Sequence, residues 1–180
     1  GFVEWIFGET NEDSFARSLY PQNYWDLRDI VLIVRSTEKN IGSSKGMEDV
    51  WSSPLMQERL KTEDIRLKKI KDALAKKDFP LLGETMEEDC LSMHAVMQTQ
   101  NPPLFYWSKE TLEIIKAVYK ERENGLQVFF TIDAGPNVHL FCEGKNEKEV
   151  VYKFKSMEGI KNLIVNKPAS GARLSGKDLF

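Results

Sequence analysis

Asp133-Ala134-Gly135-Pro136-Asn137 is the segment of this sequence best suited to chemistry. It follows Leu126 to Ile132, which reads as a strand. Gly-Pro after an acidic residue stiffens the backbone and leaves room for close approach. A carboxylate at the exit of a buried strand is partly desolvated, which makes it a better base. The same residues would also serve as an Asp-capped turn and nothing more, and the pentapeptide alone does not decide between the two.

Asn40-Ile41-Gly42-Ser43-Ser44-Lys45-Gly46, flanked by Lys39, is the second candidate. Serine hydroxyls and unencumbered glycine amides between a strand end and a helix start can nest phosphate oxygens, with the helix N-terminus and Lys39 and Lys45 adding positive charge. The G-x-x-x-x-G-K-[ST] spacing of a Walker loop is absent, and a flexible Ser/Gly linker would read the same way.

Other constellations fail on geometry. Cys90 and His94 lie four apart on an expected helix, but His139 and Cys142 would point to opposite faces of an expected strand. A four-ligand zinc site is therefore not expected, and the metal-ligand set is read as none. No third group orients a Cys90–His94 nucleophile pair. Both cysteines, and Met86, Met93 and Met97, read as core. Trp5, Trp25, Trp51 and Trp107 are too scattered for a base-stacking platform.

The elements that must hold these residues follow from periodicity. A short strand is expected at Phe2 to Phe7, followed by irregular chain to Asp26. Leu27 to Arg35 contains the run Ile30-Val31-Leu32-Ile33-Val34 and reads as a strand buried on both faces. Thr62 is expected to cap a helix carrying Leu67, Ile70 and Leu74. Asp78 starts another, with Pro80 in its first turn and Leu82, Met86, Cys90, Met93 and Met97 on one face, ended by Pro102-Pro103. Ser108 opens a third, closed by Asn124-Gly125. Strands at Leu126 to Ile132 and Val138 to Cys142, a helix behind an Asn146–Glu149 capping box, and a strand at Lys161 to Val165 complete the order. The fold class is α+β: a ferredoxin-like split βαβ layer, with an antiparallel sheet covered by helices.

Composition narrows the function classes. At 180 residues and 41% hydrophobic content the chain has length and apolar material for a core. The longest apolar run is five residues, far short of the roughly twenty that a membrane helix needs. No secretory signal opens the chain. A net charge of −3 gives no sequence-wide reason for binding nucleic acid or a membrane surface. Two cysteines fit a reducing compartment, so a cytoplasmic protein is expected. Residues 145–180 carry eight Lys or Arg against four Asp or Glu, a basic tail that reads as a solvated face with weak support for an anionic ligand.

Taken in order, Gly1-Phe2-Val3-Glu4-Trp5, Trp25-Asp26-Leu27-Arg28-Asp29, Gly42-Ser43-Ser44-Lys45-Gly46-Met47, Met93-His94-Ala95 with Pro102-Pro103, and the Asp133 turn resemble the mevalonate diphosphate decarboxylase family of the GHMP kinase superfamily across nearly the whole chain. The resemblance implies the carboxyl-terminal domain of a GHMP-type enzyme over 27–180, with 1–26 a remnant of the amino-terminal domain and a connector. It implies ATP-dependent decarboxylation of mevalonate 5-diphosphate to isopentenyl diphosphate with ATP and Mg2+, and a homodimer. Asp133 matches the aspartate that accepts or orients the hydroxyl proton. Ser43 matches a phosphate-contacting serine, and Ser44, Lys45, Gly46 and Met47 are its neighbours in the substrate-binding loop.

Two family segments are absent from this sequence: the Gly-Ser-Ala-Cys-Arg-Ser stretch before Gly-Phe-Val-Glu-Trp, and the Ser/Gly-rich ATP loop upstream of it. The expectation is a carboxyl-terminal half, inactive without its amino-terminal half. Alternatives are a phosphomevalonate decarboxylase, a mevalonate 3-kinase-like relative, which would not be expected to keep the Asp133 turn, and a non-catalytic ferredoxin-like anion-binding module.

Overall fold

The computed structural model describes residues 1–34, 42, 46–172 and 174. Contacts divide these into two compact units, one of Gly1–Leu27 with the described residues from Lys167 onward, the other of Arg28–Asn166. Among the described residues no helix is long and apolar enough to cross a membrane.

In the first unit, β1 (Phe2–Ile6) pairs antiparallel with β2 (Phe15–Tyr20). The spacing predicts irregular chain where β2 lies. Phe-Ala-Arg-Ser-Leu-Tyr lacks the apolar–polar alternation that announces a strand, and pairing with β1 recruits its backbone instead. The Asp13 carboxylate closes the connection by accepting from the Thr10 amide at 2.7 Å and the Glu9 amide at 3.3 Å. Arg17 donates to the nearly buried Glu4 at 2.6 Å. Val3, Trp5, Phe7 and Phe15 are exposed.

In the second unit, β3 (Leu27–Val34) runs on from the first and buries Ile30, Leu32 and Val34, while alternate residues are half-buried. It shares a four-stranded sheet with β4 (Phe129–Thr131), β5 (Val138–Glu143) and β6 (Ile160–Asn166), in the order β4-β5-β3-β6. β5 lies between β3 and β4, which is the split arrangement the element order calls for, and β4–β5 and β3–β6 are antiparallel. The expected α+β architecture is therefore present. β4 is shorter than the apolar run suggests, because only Phe129–Thr131 finds ladder partners.

Among the described residues the α-helices are α1 (Met56–Lys61), α2 (Glu63–Lys76), α3 (Phe79–Thr99), α4 (Lys109–Glu123) and α5 (Glu147–Phe154). Asp78 caps α3 by accepting the Leu81 amide at 3.1 Å, and Ser108 caps α4 in a reciprocal box with Thr111. Two expected caps are absent. The Thr62 hydroxyl donates back to the Glu58 and Arg59 carbonyls, because α1 ends immediately before it. The Asn146 side chain donates to the Gln127 carbonyl at 3.4 Å rather than closing a box with Glu149. α3 carries most of the core contact with the sheet. Its Gly83 sits so close to Phe129 that a Cβ would stand 2.1 Å from the ring, and Phe79 meets the same ring edge-on at 5.4 Å.

Candidate functional site

The Asp133 turn is fastened from several sides. β4 ends at Thr131; Ile132 is buried and Asp133 follows. Cys90 and His94 of α3 hold Ile132: its amide donates to Cys90 Sγ at 3.2 Å and its carbonyl lies 3.2 Å from His94 Nε2. Gly135 has φ +89°, a left-handed conformation that a side chain would strain. A Cβ there would also stand 3.2 Å from the Tyr106 carbonyl and 3.3 Å from Ile132 Cγ2. The Pro136 carbonyl accepts from the buried Thr111 hydroxyl at 2.8 Å, and Asn137 Oδ1 accepts the Val34 amide at 3.0 Å. The turn is thus tied to α3, α4 and β3 at once. Asp133 itself is exposed, not partly desolvated as its place after a buried strand suggests, because burial ends at Ile132.

Ser43, Ser44 and Lys45 lie outside the described residues. Gly46 is described and buried. Its carbonyl accepts the Gln100 side-chain amide at 3.1 Å, and its amide donates to Gly42 O at 3.0 Å. Tyr106 Oη donates to Gly42 O at 3.4 Å and would stand 2.2 Å from a Cβ on Gly46. One residue therefore touches both candidate elements, with its phenol against Gly46 and its carbonyl against Gly135. Met47 is half exposed and lines a small apolar cavity of about 40 Å³ with Met93 and Met97.

Two histidines surround the turn electrostatically. Burial pushes His94 below the ordinary imidazole value, against the pull of the Ile132 and Asp133 carbonyls and the Asp133 charge. Its ring stacks at a tilt on Trp107, centroids 4.8 Å apart. His139 shifts the other way. Its hydrogen bond to Asp29, Nδ1 to Oδ1 at 3.0 Å, raises it against burial, and the charges of Asp29 and Asp133 add to the rise. Burial pushes the Cys90 thiol up to about 11 and the Cys142 thiol up to about 12, so neither is a thiolate near neutral pH. Among the described residues no group of three His, Cys, Asp or Glu side chains could hold a metal ion.

The Asp29–His139 pair escapes a reading of the sequence alone, since only the sheet order brings β3 beside β5. It makes a pH-dependent contribution. A histidine whose folded value is raised contributes fully below its unfolded value, near 6.5, and loses that contribution as pH climbs through the folded value. Asp29→Asn is therefore expected to cost about 0.5–1 kcal/mol in urea unfolding near pH 5.5 and clearly less near pH 8.5. An equal cost at both would contradict the pairing.

The family model for the mevalonate 5-diphosphate decarboxylase C-terminal domain matches residues 29–172. A diphosphomevalonate decarboxylase of Debaryomyces hansenii is 36% identical over 166 residues, covering 87% of this chain and 43% of that protein. The crystal structure of mevalonate diphosphate decarboxylase from Staphylococcus aureus superposes with a TM-score of 0.88 at 32% identity, covering 94% of this chain and 52% of that one. MDDEF in complex with MVAPP, AMPPCP and magnesium superposes with a TM-score of 0.84 at 31% identity, covering 93% of this chain and 53% of that one. The chain spans less than half the length of the curated relatives it matches.

Proposed function

The chain belongs to the mevalonate 5-diphosphate decarboxylase family, and from that premise we propose that it is the carboxyl-terminal part of an enzyme that decarboxylates mevalonate 5-diphosphate to isopentenyl diphosphate at the expense of ATP. The observation that supports this reading is Tyr106, whose phenol lies against Gly46 and whose backbone carbonyl lies against Gly135.

Asp133 accepts or orients the proton of the tertiary 3-hydroxyl as the hydroxyl oxygen attacks the γ-phosphorus of ATP, and the bond to the bridging oxygen breaks to release ADP. The C–O bond to the new phosphate then breaks together with the bond to the carboxylate, releasing phosphate and carbon dioxide and leaving the alkene. A tertiary alcohol is a poor nucleophile, and phosphoryl transfer depends mostly on positioning and charge stabilisation, which suits a turn tied to three elements. Ser43, with Ser44, Lys45, Gly46 and Met47 around it, forms the substrate-binding loop. Magnesium enters with the nucleotide, bridging its phosphates rather than occupying a dedicated protein cage.

An amino-terminal half supplies the remainder of the nucleotide site and covers the apolar face of the β1–β2 hairpin at Val3, Trp5 and Phe7. In this reading 1–26 belongs with that half, 27–180 is the substrate domain, and the enzyme is a cytoplasmic homodimer. The test is carbon dioxide release from mevalonate 5-diphosphate and Mg-ATP by residues 1–180 alone and by the same residues joined to an upstream half. Turnover by the joined protein only is expected. Turnover by 1–180 alone overturns the need for a second half, and none by the joined protein overturns the activity. A preference for the monophosphate would instead mark a phosphomevalonate decarboxylase.

A further inference from the structure

Among the described residues β4 is an outer strand of its sheet, with a neighbouring strand on one edge only. In the antiparallel ladder with β5, Phe129 stands opposite Phe141 and Thr131 opposite His139. Alternate residues turn their backbone groups to the other side. Phe130 and Ile132 are those residues, and α3 meets them with side chains. Glu87 Oε1 accepts the Phe130 amide at 3.1 Å. Cys90 Sγ accepts the Ile132 amide at 3.2 Å and lies 3.5 Å from the Ile132 carbonyl, and His94 Nε2 lies 3.2 Å from the same carbonyl. The spacing 87, 90, 94 places the three on one helix face. Three helix side chains thus replace a missing strand and form a rail along β4.

The rail ends on the peptide unit that joins Ile132 to Asp133. Rotating that plane would swing the Asp133 side chain, and the plane's carbonyl is the atom that Cys90 and His94 hold. A carbonyl only accepts, so His94 donates and carries its proton on Nε2. A neutral ring can make this hydrogen bond without drawing the adjacent carboxylate into an ion pair.

We propose that His94 is a positioning residue for the reaction. As the neutral Nε2–H tautomer it fixes the peptide that aims Asp133, with Cys90 and Glu87 holding the strand behind it. This rests on the reading of Asp133 given above. Long-range 1H–15N correlation spectra of the 180-residue chain at neutral pH are expected to show the His94 ring protonated on Nε2 alone. A ring protonated on Nδ1 or on both nitrogens overturns the proposal.

In the complete enzyme, His94→Leu is expected to lower kcat about 30–100-fold, the scale of a small misplacement of a reacting group, with KM within about threefold. His94→Gln returns an N–H at the ε position and is expected to stay within about fivefold of the unaltered kcat. Unchanged kcat in His94→Leu, or a loss confined to KM, overturns the proposal. If His94→Leu does not fold, the tautomer and the kcat of His94→Gln decide, and a loss in His94→Gln as large as that expected for His94→Leu counts against it. Asp133→Asn separates the two readings. If Asp133→Asn is inactive and His94→Leu fully active, the rail fails alone; if Asp133→Asn is active, both fail.

Discussion

Replacing Asp133 with asparagine is expected to lower kcat in the complete enzyme by about 10²–10⁴-fold, the usual contribution of a positioned base, while KM moves less than about threefold. Asparagine keeps the shape and the turn. The ties at Ile132, Pro136 and Asn137 run through backbone groups or other side chains, so the fold has no reason to change. What disappears is a proton acceptor and one negative charge. The charge has an independent readout in the 180-residue chain, because it helps to raise His139. In Asp133→Asn the His139 titration should therefore move down, measurable by NMR. A variant that keeps full kcat would remove Asp133 from the chemistry.

The largest effect on stability is expected at Arg122. Its guanidinium pairs with both oxygens of Glu87, at 2.9 and 3.0 Å, and lies over the Phe129 ring at 4.5 Å. Glu87 is almost fully buried, and burial raises its pKa despite Arg122 and the Phe130 amide. Arg122→Leu leaves that carboxylate without its counter-charge, which should cost about 3–5 kcal/mol. For a unit of this size that is roughly 10–15 °C in Tm.

The sign with pH is specific. A carboxyl whose folded pKa lies above its unfolded value binds protons more readily when folded, so stability falls as pH rises from the unfolded value through the folded one. Removing the arginine widens that gap, and the deficit of Arg122→Leu should be smaller near pH 5 than near pH 8. Adding Glu87→Gln, which keeps an acceptor for Phe130 without a charge, should restore at least half of the loss. An Arg122→Leu variant within about 1 kcal/mol of the unaltered protein, read by thermal unfolding, would contradict the account.

Several features that depend on spacing within one element were legible in the sequence, although the expected Thr62 and Asn146–Glu149 caps do not form. Asp78 with Pro80, and Ser108, start their helices as short-range capping chemistry dictates, and the Asp133 turn falls where Gly-Pro interrupts two apolar runs. Features that depend on which elements become neighbours were not legible. β2 exists because β1 is beside it, and the Asp29–His139 pair exists because β5 inserts between β3 and β4. Glu87 looks like one more surface charge on a helix until β4 is seen to present an amide to it. His94 and Cys90 were visible as a pair four apart, but their common target, the backbone of Ile132 at 38 and 42 residues' separation, was not. The departure at Asp133, exposed where its position suggests shelter, has the same origin, since a strand's burial does not extend past its last packed residue.

The side chains bonded along β4 also bear on self-association. A sheet grows by docking a stray segment onto vacant amides and carbonyls at its rim, and on this side Glu87, Cys90 and His94 already occupy them. At the opposite rim, β6, Ile164 and Val165 are solvent-facing among Lys161, Asn162 and Asn166. Fibril-like accretion in this unit, where it occurs at all, should begin from the β6 side.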